Sequence, residues 1–507
     1  MRIAMNYKER IFQQEGAGFP GKTYVEAVLE PAFNEAKNHL LGPMMAINKA
    51  HLIMLREQEL ITDNEAKRIA CALNGLELDE LRRATYTGQF EGLFFQVESR
   101  LLELAPDVAG NLHLARSRND MGITIYRMVL REKLLVTLSS ALYLKEHLLL
   151  FAEEHAETIM IGYTHTQQAQ PTTLAHYMMA ATDMISRDIQ RLIHAYQTCN
   201  RSPMGAAALT TSGFAISRER MKELLGFEQL VENSYDAVCG ADYLGEVATA
   251  VQLAAINLGR VVQDMLQWCT QEFAVLKVAP PYVQISSIMP QKRNPVSFEH
   301  MRSLLSSSIG NATTVLTMMH NTPFGDIVDT EDDMQPYAWR SMSVLEQMYR
   351  LMACVVGTMK VNKEGLLERA QGSFATVTEL ADTLVRTDRL SFRGSHHIVS
   401  RVVKEAMQAG LRADQISLEL VNQAAKEVIG KSLLLTEEEL RLALDPVHFV
   451  QIRKLPGGPN ADEIRRVITA RRNELQAESA WLQQARQACA DAMQQLDQIT
   501  AEWSVGG

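Results

Sequence analysis

Residues 123–161, between Gly122 and Gly162, read ITIYRMVLREKLLVTLSSALYLKEHLLLFAEEHAETIMI and contain neither glycine nor proline. A helix over most of that run, at 1.5 Å per residue, is on the order of 50 Å long, far beyond the usual globular helix. A later segment shows how such helices bury themselves. Val247, Val251, Ala254, Leu258, Val261, Met265 and Trp268 follow alternating steps of four and three, which turns one apolar stripe toward a partner helix. Met265 in that stripe reads as core filler rather than as a ligand. Long helices joined along such seams make a bundle, and a bundle exposes apolar surface that one copy does not cover, so a homo-oligomer is expected.

Outward from the bundle the pieces shorten. The first 115 residues hold short helical patterns and a Gly/Pro-rich start, EGAGFPGK at 15–22. The last 150 carry short amphipathic pieces such as ELADTLVRT and EEELRLALD, interrupted by LPGGPN at 455–460. That cluster is a turn, because it lacks the spacing of a phosphate loop. There is little period-two alternation and no internal repeat. The fold class is therefore all-α, with three helical domains at 1–115, 116–366 and 367–507.

Composition narrows the function classes. The 28 Gly and 15 Pro among 507 residues are at or below the roughly 7% and 5% of ordinary soluble proteins, which agrees with long elements. A net charge of −10 without any dense Lys/Arg run argues against nucleic-acid binding. An anionic ligand would need local cationic groups to overcome that field. Cys71, Cys199, Cys239, Cys269, Cys354 and Cys489 are scattered and form no C-x-x-C pair, which reads as buried thiols of a reducing compartment. The N-terminal MRIAMNYKERIFQQEG lacks the apolar stretch of a signal peptide. No uninterrupted apolar run reaches the ~18 residues of a membrane span. The expectation is a cytoplasmic protein with no membrane or nucleic-acid partner.

Three polar segments break the helical pattern. LHLARSRNDMG, 112–122, sets Arg116, Arg118, Asn119 and Asp120 ahead of the long helix, where free N–H groups and the dipole attract anions. The same residues also read as a capping turn, with Asn119 or Asp120 as N-cap. GYTHTQQAQPTT, 162–173, places Thr164 and His165 between Gly162 and Pro171, which interrupt a helix. His165 suits acid/base work, and equally suits a structural hydrogen bond. QISSIMPQKRNPVSFEH, 284–300, combines two serines, Lys292, Arg293 and Asn294 with a helix restart after Pro295. Periodicity leaves it open as a surface loop. The adjacent His396 and His397 do not share a helical face, and there is no metal-ligand spacing, so no metal is expected.

Taken in order, these segments resemble the aspartase/fumarase superfamily, and within it argininosuccinate lyase. The superfamily loop G-S-S-x-M-P-x-K-x-N appears as ISSIMPQKRNP, with Ile285 for the usual Gly. LARSRND is similar to T-G-R-S-R-N-D, GYTHTQQAQP to G-Y-T-H-x-Q-x-A-Q-P, and ENSYDAV to N-S-x-D-A. SFRGSHHIVSRVV and VHFVQIRKLPGGP extend the likeness toward the C-terminus. The resemblance implies a homotetramer built around a twenty-helix bundle, with each site assembled from three subunits. It also implies a cofactor-free, reversible β-elimination that releases fumarate. By similarity Ser286 is the general base, while Lys292 and Asn294 bind the carboxylate whose charge grows. Thr164, Ser287, Arg118 and Asn119 would hold the succinyl carboxylates, His165 is the second acid/base residue, and Glu299 orients it.

The departures fall where the leaving group would be recognised. The family pattern Y-N-R-D-L-Q-E-D-K aligns with GDIVDTEDD, so Gly325, Thr330 and Asp333 stand where Tyr, Gln and Lys contact arginine. Losing an aromatic wall and reversing a charge is not conservative. The family's F-N-A-S segment is not recovered near Glu30 to Lys37, and a family Arg corresponds to Ala241. The expected activity is a carbon-nitrogen lyase acting on an N-substituted L-aspartate, an aminopolycarboxylic acid such as ethylenediamine-disuccinate. Arg293, Arg340 and Lys360 are candidates for holding a second succinyl group. Argininosuccinate cleavage is the alternative, and a silent, crystallin-like structural role stands in a different class.

Overall fold

The computed structural model describes residues 7–505. Residues 1–6, the start of the stretch read as lacking a signal peptide, lie outside the described residues. The N-terminal part is built of shorter helices, chief among them α1, Leu41–Glu57, and α2, Asp63–Asn74. A reciprocal capping box opens α2: Thr62 Oγ1 accepts the Glu65 N–H, and the Glu65 carboxylate accepts the Thr62 N–H at 2.7 Å.

The decisive stretch begins and ends earlier than its glycine-free run. Helix α3 spans Arg118–Glu154. Its N-cap is Ser117, not Asn119 or Asp120: the Ser117 hydroxyl accepts the Asn119 N–H, and Asp120 reaches back to the Ser117 N–H at 3.0 Å. At the other end Ile159–Ile161 leave the helix and enter strand β1, Ile159–Thr164, paired antiparallel with β2, Gln167–Thr173. Ile159 and Ile161 pack with Ala370, Ala375 and Val450, while Met160, on the opposite face, joins the main core. A strand buried on both faces shows a continuous apolar run, which periodicity does not distinguish from helix.

Four more long helices complete the bundle: α4, Leu174–Cys199; α5, Asp242–Trp268; α6, Val296–Met319; and α7, Gln335–Val356. α3 packs on α4 and α7, α5 on α4 and α6, and α6 on α7. Every member of the stripe from Val247 to Trp268 is buried, as the four-three spacing predicts. Between α5 and α6 a short ladder pairs β3, Gln284–Ile285, with β4, Arg293–Asn294.

The C-terminal region splits in its packing. α8, Val377–Asp388, α9, Phe392–Gln408, α10, Leu418–Ile429, and α11, Glu437–Leu444, close around their own core of Leu380, Leu384, Ile398, Val402, Val421 and Leu440. LPGGPN is the turn expected, with Gly457 at φ +81, where a left-handed residue favours glycine. The final helix, α12, Ala461–Val505, then returns along α3 and the N-terminal α1 and α2. Fully buried Lys145 of α3 meets Glu478 of α12 at 2.7 Å. An unpaired charge there would be strongly destabilising, so the pair holds the two helices in register.

α3 is also long and apolar enough to cross a membrane, but 67% of the qualifying window is buried inside the fold, as in the core helix of a bundle. Its outer face exposes Val136, Tyr143 and Leu150, spaced by seven and therefore on one line. The six cysteines are all unpaired, but they are not all buried as expected: Cys199 and Cys239 are, Cys269, Cys354 and Cys489 are partly exposed, and Cys71 lies at the surface.

Candidate active site

The start of α3 carries the first candidates. Asp120 is completely buried, and its carboxylate accepts three backbone N–H groups, from Ser117 at 3.0 Å and from Gly205 and Ala207 at 2.9 Å each. Burial nevertheless pushes its pKa up to about 6, against the lowering effect of those hydrogen bonds. Asp120 thus ties the 203–207 loop to the helix start. Arg118 lies exposed over the Phe95 ring, with its guanidinium 3.4 Å from Glu91. Asn119 accepts from the Ser117 hydroxyl at 2.8 Å and donates through Nδ2 to Asp326. Arg116, grouped by sequence with the same corner, turns inward instead and donates to Asn48 at 2.7 Å and His113 at 3.4 Å.

Asp326 belongs to the 325–333 segment, which the sequence marks as the departure from the family pattern. Its residues are laid along α3: Asp326 meets Asn119, Glu331 lies over Gly122, and Asp332 accepts from the Tyr126 hydroxyl. Positions 119, 122 and 126 form one helical face, so the segment lies in register on it. Desolvation, followed by a hydrogen bond to Asp326 and that group's charge, pushes the Glu331 carboxyl up to about 9. The protonated form is thereby favoured. Neither Asp326 nor Glu331 was singled out as a site residue from sequence. The gapless alignment of GDIVDTEDD was the available signal, but its seat on α3 is a tertiary fact.

The serine loop is held at its neck by the β3–β4 pairs, Gln284 with Asn294 and Ile285 with Arg293. Within it the half-buried Ser286 hydroxyl oxygen accepts N–H groups from Met289 at 3.0 Å and Ile288 at 3.4 Å, the latter a weak bond. Two donors aimed at one oxygen lower the cost of placing negative charge on it. The Lys292 N–H closes the turn on the Met289 carbonyl at 3.0 Å. Ile285, where the family has Gly, sits in the strand without positive φ and points largely to solvent, so its side chain is accommodated. Ser287 and Lys292 are exposed and Asn294 is half-buried, while Glu299 is exposed on the first turn of α6.

His165 and Thr166 form the turn between β1 and β2, both at positive φ, 51° and 61°. Left-handed backbone at a β-branched residue is uncommon and strained. Thr164 and His165 are exposed beside it. Among the described residues, no hydrogen bond or ion pair joins His165, Ser286 and Glu299 to one another within the chain. One chain thus brings Asn119 together with Asp326 and Glu331, but leaves the serine loop and the histidine turn as separate exposed pieces.

Residues 50–310 match the family model described as lyase, and residues 374–451 match the one described as argininosuccinate lyase C-terminal. The chain is 39% identical to argininosuccinate lyase 2 of Agrobacterium fabrum over 96% of its own length and 98% of that protein. The chain belongs to the argininosuccinate lyase family. A second relative, argininosuccinate lyase 1 of Shouchella clausii, is 34% identical with the same coverage. Among solved structures, an EDDS lyase in complex with formate superposes with a TM-score of 0.86 at 32% identity, covering 92% of each chain. The protein is a carbon-nitrogen lyase of the aspartase/fumarase superfamily, and its helical bundle is the fold its relatives share.

Proposed function

We propose that this lyase catalyses reversible β-elimination of an N-substituted L-aspartate to fumarate and an amine other than arginine. The observation that carries the leaving-group part is the segment laid along α3. With Gly325, Thr330 and Asp333 in place of Tyr, Gln and Lys, it offers no aromatic wall and no cation for the α-carboxylate of arginine. Its remaining carboxylates, Asp329 and Asp333, suit an amine bearing an ammonium group, such as the ethylenediamine unit of an aminopolycarboxylate like ethylenediamine-disuccinate. Argininosuccinate itself is the second reading, favoured by the names of the relatives that match over nearly the whole chain.

In this reading the Ser286 alkoxide takes the proton next to the substrate carboxylate. The two loop N–H groups that reach its oxygen lower the cost of forming it. Lys292 and Asn294 stabilise the aci-carboxylate that results, because charge developing in a site shielded from water is where fixed donors act most strongly. The carbon–nitrogen bond then breaks, its electron pair leaves on nitrogen, and a proton comes from His165, directly or through Thr164 or water, with Glu299 orienting the ring. Thr164, Ser287, Arg118 and Asn119 hold the carboxylates. Because these groups lie on separate exposed pieces of one chain, the reading includes a homotetramer in which neighbouring subunits complete each site. The exposed line of Val136, Tyr143 and Leu150 supports self-association.

Incubating the enzyme with fumarate and a panel of amines, arginine and ethylenediamine included, tests the reading. Adducts with amines other than arginine are expected, and addition to arginine alone would overturn the preferred substrate. Fumarate absorbance at 240 nm provides the second check. Ser286→Ala is expected to abolish turnover, and equal rates for variant and parent would remove Ser286 as the base.

A further inference from the structure

Asn119 has an amide whose two ends are both engaged: Oδ1 accepts from the Ser117 hydroxyl at 2.8 Å, and Nδ2 donates one N–H to Asp326. The amide plane is therefore fixed, and one Nδ2 N–H remains to be offered to a ligand. Position 326 is Asn in the family pattern, so this chain sets a carboxylate where that pattern has a neutral amide. A second bare carboxylate at this corner would oppose an anionic substrate. Glu331 avoids that: burial, followed by its hydrogen bond with Asp326, pushes its carboxyl up and favours the neutral form. The segment that supplies both acids is fastened to α3 again two turns further on, through Tyr126 and Asp332.

We propose that Asp326, braced by Glu331, is the positioning residue that sets the Asn119 amide for a substrate carboxylate; this rests on the reading above, in which Asn119 binds that carboxylate. Asp326 touches no reacting atom and acts through Asn119. The groups facing Glu331 are Asp326 and Asp332 on its own segment, Arg118 and Tyr126 from α3, and Tyr243 from α5. Arg118 is the only cation among them, and its guanidinium is already engaged with Glu91 and Phe95.

The test is a double-mutant cycle on the full-length enzyme in the amine-addition direction, reading KM for fumarate separately from kcat. Asp326→Ala and Asn119→Ala are each expected to raise KM about tenfold, the size of one lost charge-assisted hydrogen bond, with kcat little changed. The double variant is expected to be no worse than either single one, because the first change already frees the amide. Asp326→Asn keeps an acceptor and is expected to restore KM. In the parent enzyme KM should rise as pH increases through the range where Glu331 ionises, and Glu331→Gln should flatten that rise. Additive losses in the cycle, or an unchanged KM in Asp326→Ala, would overturn the positioning role while leaving the lyase reading intact. If the parent enzyme adds no amine to fumarate, the lyase substrate reading fails and the positioning role falls with it.

Discussion

At the scale of single residues, Asp120 shows how strongly tertiary context overrides composition. Sequence offers it as a possible cap, whereas the structure makes it a buried acceptor joining the α3 start to the 203–207 loop. Its pKa stands above the ordinary carboxylate value, at about 6, so the folded state binds its proton more readily than the unfolded chain does. The stabilising contribution of this group therefore declines as pH rises from about 4 to about 6 and is flat above that. Asp120→Asn carries no such titration. The unfolding midpoint of the variant relative to the parent should shift in the variant's favour between pH 4 and pH 7 in denaturant titrations, and a difference independent of pH would show that Asp120 does not titrate as described. Ser286 illustrates the opposite case. Its place in ISSIMPQKRNP is legible from sequence, but the two N–H groups that meet its oxygen depend on a loop conformation no spacing reveals.

At the scale of elements, the hairpin at 159–173 is the instructive case. Its apolar IMI run looks like a continuation of α3, because both faces are buried and period two is hidden. Gly162, the positive-φ pair His165 and Thr166 and the threonines of β2 are the turn and strand signals that outweigh it. The Thr166 hydroxyl donates to the carbonyl of His165 beside it at 2.6 Å, a purely local bond. Replacing Thr166 with glycine is expected to stabilise the fold by about 1 kcal/mol, since left-handed backbone costs glycine little. Thermal melts of Thr166→Gly check this; a lower Tm would mean the threonine side chain repays its strain through contacts made in the assembled protein. By contrast the α5 stripe and the 455–460 turn are readable directly, because helix spacing and Gly/Pro chemistry are local properties.

At the scale of the whole molecule, the separation of Ser286, His165 and Glu299 within one chain has a testable consequence. If neighbouring subunits complete each site, an inactive Ser286→Ala chain and an inactive His165→Ala chain share their intact pieces when mixed. Denaturing the two variants together and refolding them is expected to regain a fraction of parental turnover that neither regains alone. Light scattering should show a tetramer in the same samples. Absence of recovery from a mixture that does form tetramers would place the complete site within a single chain.

The sequence by itself determined the helical bundle, the lyase family and the short motifs on which the proposed chemistry rests. Those depend on periodicity and on short motifs whose members are neighbours in the chain. Only the tertiary structure decided that α3 is capped by Ser117 and ends before Ile159, and that Arg116 turns away from the corner it was grouped with. It also decided that α12 returns to the main core and that Asp326 and Glu331 seat on Asn119 and Gly122. Each of these is a contact between segments far apart in the chain. Burial and long-range hydrogen bonding set such contacts, and neither is encoded in the spacing of any one stretch.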